Sequence, residues 1–245
     1  MTTLISTLDI AQQHLAKFEN MANGLDYERK GVLFSEMFFL YAAAQEVEPK
    51  RILESGRARG QSTLLLSYAF PEAEIISVEH DKNSPDVSVA QARLADRSNV
   101  ELLFGDATKI LPQKLERGDV VLIDGPKGFR GLRLAFHLLM TGKPTLIFIH
   151  DCPLSSPERA FLDRHITGVF HSDAQEFVRN YAHLDQIHND TKTHAHSFDS
   201  GESYGFVFSC IPYHTDTNYR KLLLRLAFTT FFHRMKNSWN KRFGH

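Results

Sequence analysis

From residue 50 onward, short apolar runs alternate with longer runs that have helical periodicity. The pattern predicts strands at 50–54, 74–79, 99–104, 119–124 and 144–149, separated by helices at 61–69, 86–96, 107–115 and 130–140. Short, continuously apolar strands between helices are typical of a parallel sheet covered on both faces. Because crossover connections are right-handed, the pattern predicts a doubly wound, Rossmann-like α/β fold with a mostly parallel sheet.

Helical patterns also precede this alternation. Apolar residues recur at helical spacing over 4–22 and 32–47, so residues 1–48 are predicted to form an N-terminal helical cap. The central domain, which would bind the ligand, is predicted to cover residues 49–215.

The chain beyond the fifth strand is less regular. Residues 155–182 are predicted as two helical pieces that break near Thr167-Gly168, and 204–211 as a strand. The histidine-rich segment 183–203 is predicted as a loop with a short strand at 184–188. Residues 216–245 are predicted as a C-terminal segment that contains a basic amphipathic helix.

An acidic residue stands at or just beyond the end of each of the five predicted strands. These residues are Glu54, Glu79, Asp106, Asp124 and Asp151, the last directly after His150. Because the carboxyl ends of parallel strands meet at one edge of a sheet, we expect these side chains to line one ligand site.

The turn after the first strand is rich in glycine. Gly56 and Gly60 lie between the strand and a helix that begins near Ser62. Glycine lets the backbone approach a ligand, and the start of a helix offers unpaired N–H groups to an anion. The spacing matches neither the G-x-G-x-x-G of dinucleotide binders nor the phosphate-binding loop.

Each of these positions has a chemical role if the ligand is S-adenosylmethionine. Glu79 would accept hydrogen bonds from the two ribose hydroxyls, and Asp106 or the backbone at Ala107 would accept one from the adenine amino group. Glu54 would stabilise the ammonium of the methionine end, directly or through water. The N–H groups from Gly60 to Ser62 would hold the carboxylate.

Four segments resemble the successive motifs of class I S-adenosylmethionine-dependent methyltransferases. They are Ile52 to Ser62, Ser77 to Glu79, Phe104 to Ala107 and Val120 to Gly125. Leu53 to Ser62 and Asp124-Gly-Pro-Lys127 further resemble the small catechol-type O-methyltransferases. That resemblance implies that Asp124 and Asp151 hold Mg²⁺ and that Lys127 takes the proton of the acceptor hydroxyl. A lysine beside the cation would have a depressed pKa, which suits a base.

The sequence departs from that family after the fifth strand. The family has an Asp-Asn pair there, whereas this chain has His150-Asp151-Cys152. Two hypotheses therefore stay open. In one, Asp124 and Asp151 bind Mg²⁺, which prefers oxygen ligands. In the other, the reaction is metal-free and His150 or Asp151 is the general base.

Composition and charge limit the kinds of binding partner that we expect. The 245 residues carry a formal net charge of −1, which disfavours a nucleic-acid partner. Two cysteines, with no visible signal peptide or membrane span, lead us to expect a cytoplasmic protein. The predicted helix at 218–243 is dense in basic and aromatic residues. Peripheral membrane contact, a homodimer contact and simple packing on the sheet are all open for it.

The expected function is methylation of a small-molecule or sugar hydroxyl with S-adenosylmethionine as cofactor. Two alternatives use the same fold. One is a nicotinamide-dependent oxidoreductase, which the missing G-x-G-x-x-G disfavours. The other is a non-catalytic protein that binds a nucleotide or a partner.

Overall fold

The computed structural model describes residues 2–28, 31–187 and 204–243. The strands in this part of the chain are β1 (Arg51–Ser55), β2 (Glu74–Glu79), β3 (Val100–Phe104), β4 (Val120–Ile123), β5 (Leu146–Ile149), β6 (Phe170–His171) and β7 (Ser209–Pro212). The helices are α1 (Leu4–Asn23), α2 (Phe34–Gln45), α3 (Gln61–Ala69), α4 (Asp86–Leu94), α5 (Ala107–Lys114), α6 (Phe129–Leu139), α7 (Pro157–His165), α8 (Gln175–Tyr181) and α9 (Tyr219–Phe243).

The strands form one sheet in the order β3-β2-β1-β4-β5-β7-β6. Strands β1 to β5 are parallel, whereas β7 pairs antiparallel with both β5 and β6. The order reverses between β1 and β4, and ligands bind at such a reversal in open α/β sheets. The doubly wound, mostly parallel sheet predicted from the sequence is confirmed.

The core has two layers, one on each face of the sheet. Adjacent residues of a strand point to opposite faces, so Ile52 packs in the layer that includes α1, α2 and α3, whereas Leu53 packs in the layer that includes α6 and α9. The N-terminal helices thus cover one face and the C-terminal helix lies on the other. Across the described residues, no helix combines the length and the apolar composition that a membrane crossing requires.

The predicted strand at 184–188 is wrong in its described part. Residues Ala182–Gln186 form a 3₁₀ helix instead. Its buried Asp185 accepts hydrogen bonds from the backbone N–H of Ser35 (2.8 Å), the Ser35 hydroxyl (2.7 Å) and the Tyr204 hydroxyl (2.6 Å). These bonds tie the segment to α2 rather than to a neighbouring strand. The rest of the histidine-rich segment, residues 188–203, lies outside the described residues.

The predicted strand at 204–211 begins later than expected. Strand pairing starts only at Ser209, because the backbone N–H groups of Phe206 and Val207 point to the carboxylate of Glu36, at 2.7 and 2.8 Å. Those donors are unavailable to a neighbouring strand. Val207 also has a φ of +68°, outside the extended region that a strand requires.

Candidate active site

The glycine turn after β1 passes directly against the end of β4. Gly56 has a φ of +88°, and a Cβ placed there would lie 2.8 Å from the carbonyl carbon of Asp124. Only glycine therefore fits this close approach without a shift of backbone. Gly60, with a φ of +80°, precedes the first turn of α3. The turn thus links the predicted cofactor motif to Asp124.

Glu54 lies beneath the turn, with its side chain fully buried. It accepts hydrogen bonds from the hydroxyls of Ser62 (2.5 Å), Ser77 (2.5 Å) and Thr63. Burial raises the pKa of the Glu54 carboxyl, although these three hydroxyl donors oppose the rise. This buried position does not fit a direct contact of Glu54 with a ligand ammonium, and a contact through water stays a prediction. Its carboxyl group, and Ser62 with it, fastens α3 to β1 and β2.

One cavity, of about 280 Å³, opens at the ends of β2 and β3. Glu79, Asp106 and Ala107 line it, as the sequence predicts, and Gly56 contributes to its wall. Glu79 accepts hydrogen bonds from the backbone N–H groups of Ala58 (2.8 Å) and His80 (2.7 Å). These bonds fix the carboxylate at the cavity and leave further lone pairs available, because a carboxylate offers about four acceptor positions.

Asp106 also caps the helix that follows it. One carboxylate oxygen, Oδ1, accepts from the backbone N–H of Thr108 at 2.9 Å and from the Thr108 hydroxyl at 2.7 Å. These bonds to Thr108 lower the pKa of the Asp106 carboxyl. Asp106 is therefore both the N-cap of α5 and a wall of the cavity, and the two roles are compatible.

A second cavity, of about 210 Å³, lies on the other side of the glycine turn. Gly56 lines this cavity as well, so the two cavities share one wall residue. Asp124, Lys127, His150 and Asp151 line the second cavity. The structure therefore brings the four predicted catalytic residues together, beside the predicted cofactor residues.

These four residues form an ion cluster (Asp124, Lys127, His150 and Asp151). The ammonium of Lys127 contacts Oδ1 of Asp124 and lies 2.6 Å from Oδ2 of Asp151. Nδ1 of His150 lies 2.5 Å from Oδ1 of Asp124 and 3.7 Å from Oδ1 of Asp151. Asp151 has a φ of +61°, a conformation that non-glycine residues rarely adopt and that is common at functional sites.

Glu36 extends this ion cluster and was missed in the sequence. Its carboxylate, on α2, is buried and lies 3.5 Å from Nε2 of His150. It also accepts from the backbone N–H groups of Leu33, Phe206 and Val207. The only sequence signal is an acidic residue in a mostly apolar helix, directly before Met37. Glu36 therefore faces Nε2 of His150, while Nδ1 of the same ring faces Asp124.

The charges of the ion cluster shift one another's pKa values. Burial alone would lower the pKa of His150, but the carboxylates of Asp124 and Glu36 outweigh burial and raise it to about 10. Burial also opposes the charge of Lys127, yet Asp124 and Asp151 raise its pKa above the usual value. This direction is opposite to the depressed lysine pKa expected beside a bound cation, because two carboxylates flank the ammonium here.

Asp124, His150 and Asp151 could offer a metal ion one ligand atom each, and these atoms lie within 4.8 Å of one another. The donor set nevertheless fits Mg²⁺ poorly. Mg²⁺ takes oxygen ligands in octahedral geometry, whereas one donor here is an imidazole nitrogen. The Lys127 ammonium, moreover, pairs with both carboxylates.

A serine–histidine–aspartate arrangement lies elsewhere, between β6, β7 and α7. Nδ1 of His171 lies 2.8 Å from the Ser209 hydroxyl, and Nε2 lies 2.8 Å from Oδ1 of Asp163. Ser209 is fully buried, so no substrate reaches its hydroxyl. Burial lowers the pKa of His171 to about 4, which keeps the ring neutral between its two partners at neutral pH. This arrangement stabilises the fold and is not a hydrolase site.

The known proteins that this chain is similar to are methyltransferases, as the sequence motifs predict. Residues 48–123 match a family described as "Putative methyltransferase". A catechol O-methyltransferase from Niastella koreensis is 37% identical over 98 residues, which are 36% of this chain and 43% of that protein. A transmembrane O-methyltransferase from Propithecus coquereli is 33% identical over 122 residues, 45% of this chain and 44% of that protein.

Among solved structures, the O-methyltransferase TomG from Streptomyces achromogenes, in complex with S-adenosylmethionine, aligns with a TM-score of 0.48 at 20% identity. The alignment covers 82% of this chain and 89% of that one. The chain spans less than half the length of the curated relatives described above. The predicted resemblance to class I S-adenosylmethionine-dependent methyltransferases is confirmed, and it covers at least residues 48–123.

Proposed function

We propose that the chain is an S-adenosylmethionine-dependent methyltransferase that methylates a hydroxyl group of a small molecule. One observation carries the proposal. Two cavities share Gly56, and one presents the carboxylates of Glu79 and Asp106 while the other presents the ion cluster. A nucleoside site on one side of a backbone turn and an acid–base site on the other would hold the cofactor and the acceptor next to each other, as methyl transfer between them requires.

The first cavity supplies what the nucleoside part of the cofactor needs. Glu79 and Asp106 are acceptors, and the ribose hydroxyls and the adenine amino group are donors. The first turn of α3 offers N–H groups to the carboxylate of the methionine part. When bound, the cofactor would supply a methyl group on a sulfonium, and S-adenosylhomocysteine would leave as a neutral thioether.

The second cavity would prepare the acceptor. Activation of a hydroxyl requires that its proton leave and that the negative charge on oxygen be stabilised. Oδ1 of Asp151 is the proposed proton acceptor, since Oδ2 is paired with Lys127. The Lys127 ammonium and the His150 imidazolium would stabilise the negative charge on the acceptor oxygen.

Asp124 would hold both cations in place. Its Oδ1 contacts Lys127 and His150 together, so it fixes their positions relative to Asp151. This differs from the role of Lys127 as the base, which the family resemblance implies, because a lysine with a raised pKa is protonated at neutral pH. The proposed reaction needs no metal ion, in keeping with the poor fit of the donor set to Mg²⁺.

The direct test is methyl transfer to a panel of acceptors. The purified protein is incubated with S-adenosylmethionine and a catechol, a monophenol, a sugar, an amine or a thiol, and products are identified by mass spectrometry. We expect O-methylated product from at least one hydroxyl acceptor, with none from the Asp124→Ala variant. Methylation confined to the amine or the thiol would contradict the proposal.

The oxidoreductase alternative is separated from this proposal by ligand binding. A ligand that binds the folded state raises the melting temperature by mass action. We expect S-adenosylhomocysteine to raise the melting temperature and NAD to leave it unchanged. A rise with NAD alone would favour the oxidoreductase. A rise with S-adenosylhomocysteine but no transfer to any acceptor class would favour the non-catalytic alternative.

A further inference from the structure

Helix α9 presents an apolar stripe to solvent. Its 25 residues give it a length of about 37 Å. The stripe is exposed over more than half of each side chain and consists of Leu224, Phe228, Phe231, Phe232, Met235 and Trp239. Successive members are mostly three or four residues apart, so they lie on one face of the helix. Monomeric soluble proteins rarely expose a contiguous apolar patch of this kind.

The opposite face of α9 is fixed to the protein. Tyr219, Leu222 and Leu226 are buried in the core layer that also contains residues of α6. Further along, the ring of His233 lies 5.7 Å from that of Phe129, at the start of α6. The helix is therefore held lengthwise along the protein, with the stripe facing outward.

The charged residues of α9 are all basic. The helix contains seven of the chain's 28 lysines and arginines and none of its 29 acidic residues, so the rest of the chain carries a net charge of −8. Arg220, Lys221 and Arg225 are exposed near the start of the stripe. The helix is thus both the most basic and the most openly apolar element of the described chain.

These two properties together select one kind of partner. A second copy of the chain, packed stripe to stripe about a two-fold axis, would pair two helices that each contain seven basic residues and no acidic residue. A bilayer with anionic headgroups instead offers a negative surface for the basic residues and an apolar layer for the stripe. Phenylalanine and tryptophan beside lysine and arginine are typical of helices that lie in the plane of such a surface.

We propose that α9 docks the protein on anionic phospholipid bilayers, with the stripe inserted at the level of the headgroups. Since Phe129 lies two residues beyond Lys127, the docked helix would lie next to the loop that carries Asp124 and Lys127. The proposal does not depend on the proposed function, since docking requires neither cofactor nor methyl transfer.

Vesicle sedimentation tests the proposal. The whole protein is mixed with vesicles of phosphatidylcholine alone or with roughly one-third phosphatidylserine, in about 0.1 M salt. We expect binding at least about tenfold tighter to the anionic vesicles, and weaker binding in about 0.5 M salt, where surface charges are screened.

Two variants separate the contributions of the stripe and the charge. Phe228→Ser with Phe232→Ser interrupts the stripe, and Lys221→Glu with Arg225→Glu reverses two of the helix's seven positive charges. Each pair should weaken binding to anionic vesicles about tenfold or more. Ile5→Ser is the matched control, since Ile5 is an equally exposed apolar residue on α1. An unchanged melting temperature of each variant confirms that it folds.

Three results would overturn the proposal. The wild-type protein could fail to bind anionic vesicles, or the serine pair could bind as tightly as the Ile5→Ser control. Light scattering could also show a dimer that the serine pair dissociates, in which case a second copy of the chain covers the stripe.

Discussion

The two halves of the sheet's carboxyl edge use acidic residues in different ways. On the β1–β3 side, Glu54 and Glu79 accept hydrogen bonds from hydroxyls and backbone N–H groups. On the β4–β5 side, Asp124 and Asp151 contact the cations of Lys127 and His150. The same residue type at the same end of a strand therefore serves different chemistry, because its partners differ.

We propose that this difference separates cofactor-binding residues from catalytic residues. Glu79, which neutral donors hold at the cavity, keeps lone pairs for the hydroxyl groups of a ligand, whereas the buried Glu54 fastens α3 to β1 and β2. Carboxylates held by cations position charge and protons. We therefore expect changes on the β4–β5 side to affect methyl transfer and changes on the β1–β3 side to affect cofactor binding.

The largest effect is expected for Asp124→Ala. Loss of this carboxylate leaves Lys127 and His150 without their shared partner, so their positions relative to each other are no longer fixed. Turnover at saturating cofactor should fall by about a thousandfold, within the range for a positioned acid–base system. Turnover within tenfold of wild type, measured with whichever acceptor the panel identifies, would show that the ion cluster is not the catalytic centre.

A smaller effect is expected at Lys127, where two variants separate a base from a fixed cation. Lys127→Met should lower turnover by about a hundredfold, because the acceptor oxygen loses a stabilising charge. Lys127→Arg should retain most of the activity, because a guanidinium also pairs with two carboxylates but does not accept a proton. If Lys127→Arg were as inactive as Lys127→Met, lysine would be the base after all.

The third effect should appear in KM for the cofactor. Glu79→Ala removes the acceptor that lines the first cavity, and KM should rise by about tenfold or more, since one or two hydrogen bonds to a charged group are lost. The rate at saturating cofactor should change only a few-fold. Glu72→Ala is the control, since Glu72 is exposed in the turn before β2, and it should leave both parameters unchanged. A lower saturating rate with an unchanged KM would remove Glu79 from the cofactor site.

The smallest effect is expected from chelation. Because Lys127 pairs with both carboxylates, EDTA should change turnover by less than about twofold, and added Mg²⁺ should not raise it. Activity that disappears in EDTA and returns with a divalent cation would show that a metal displaces the ammonium. It would revive the metal hypothesis for Asp124 and Asp151.

The fold was largely predictable because each strand is a short apolar run and each crossover contains a helical pattern. The bounds of β2 and α3 match the predicted ranges, 74–79 and 61–69. The errors lie where a distant side chain decides the local structure. The strand that was predicted to begin at Tyr204 begins at Ser209, because Glu36 accepts hydrogen bonds from two backbone N–H groups before it. No local sequence pattern predicts that contact.

The site was only partly predictable, for the same reason. The ends of the strands place Asp124, His150 and Asp151 together, and the sequence order of the strands is sufficient to expect this. Glu54 is held in its buried position by hydroxyl groups from two different elements, α3 and β2. The raised pKa of Lys127 depends on the distances from its ammonium to two carboxylates. Proximity can be inferred from strand ends, whereas protonation depends on distances that only the structure supplies.

The proposed division of the sheet's carboxyl edge into a cofactor side and a catalytic side is tested most directly by calorimetry. S-adenosylhomocysteine is titrated into three proteins: wild type, Asp124→Ala and Glu79→Ala. We predict micromolar binding to the wild type, binding within about threefold of it for Asp124→Ala, and at least about tenfold weaker binding for Glu79→Ala. No binding to the wild type would contradict the cofactor assignment. Equal losses in the two variants would contradict the division of the edge into a cofactor side and a catalytic side.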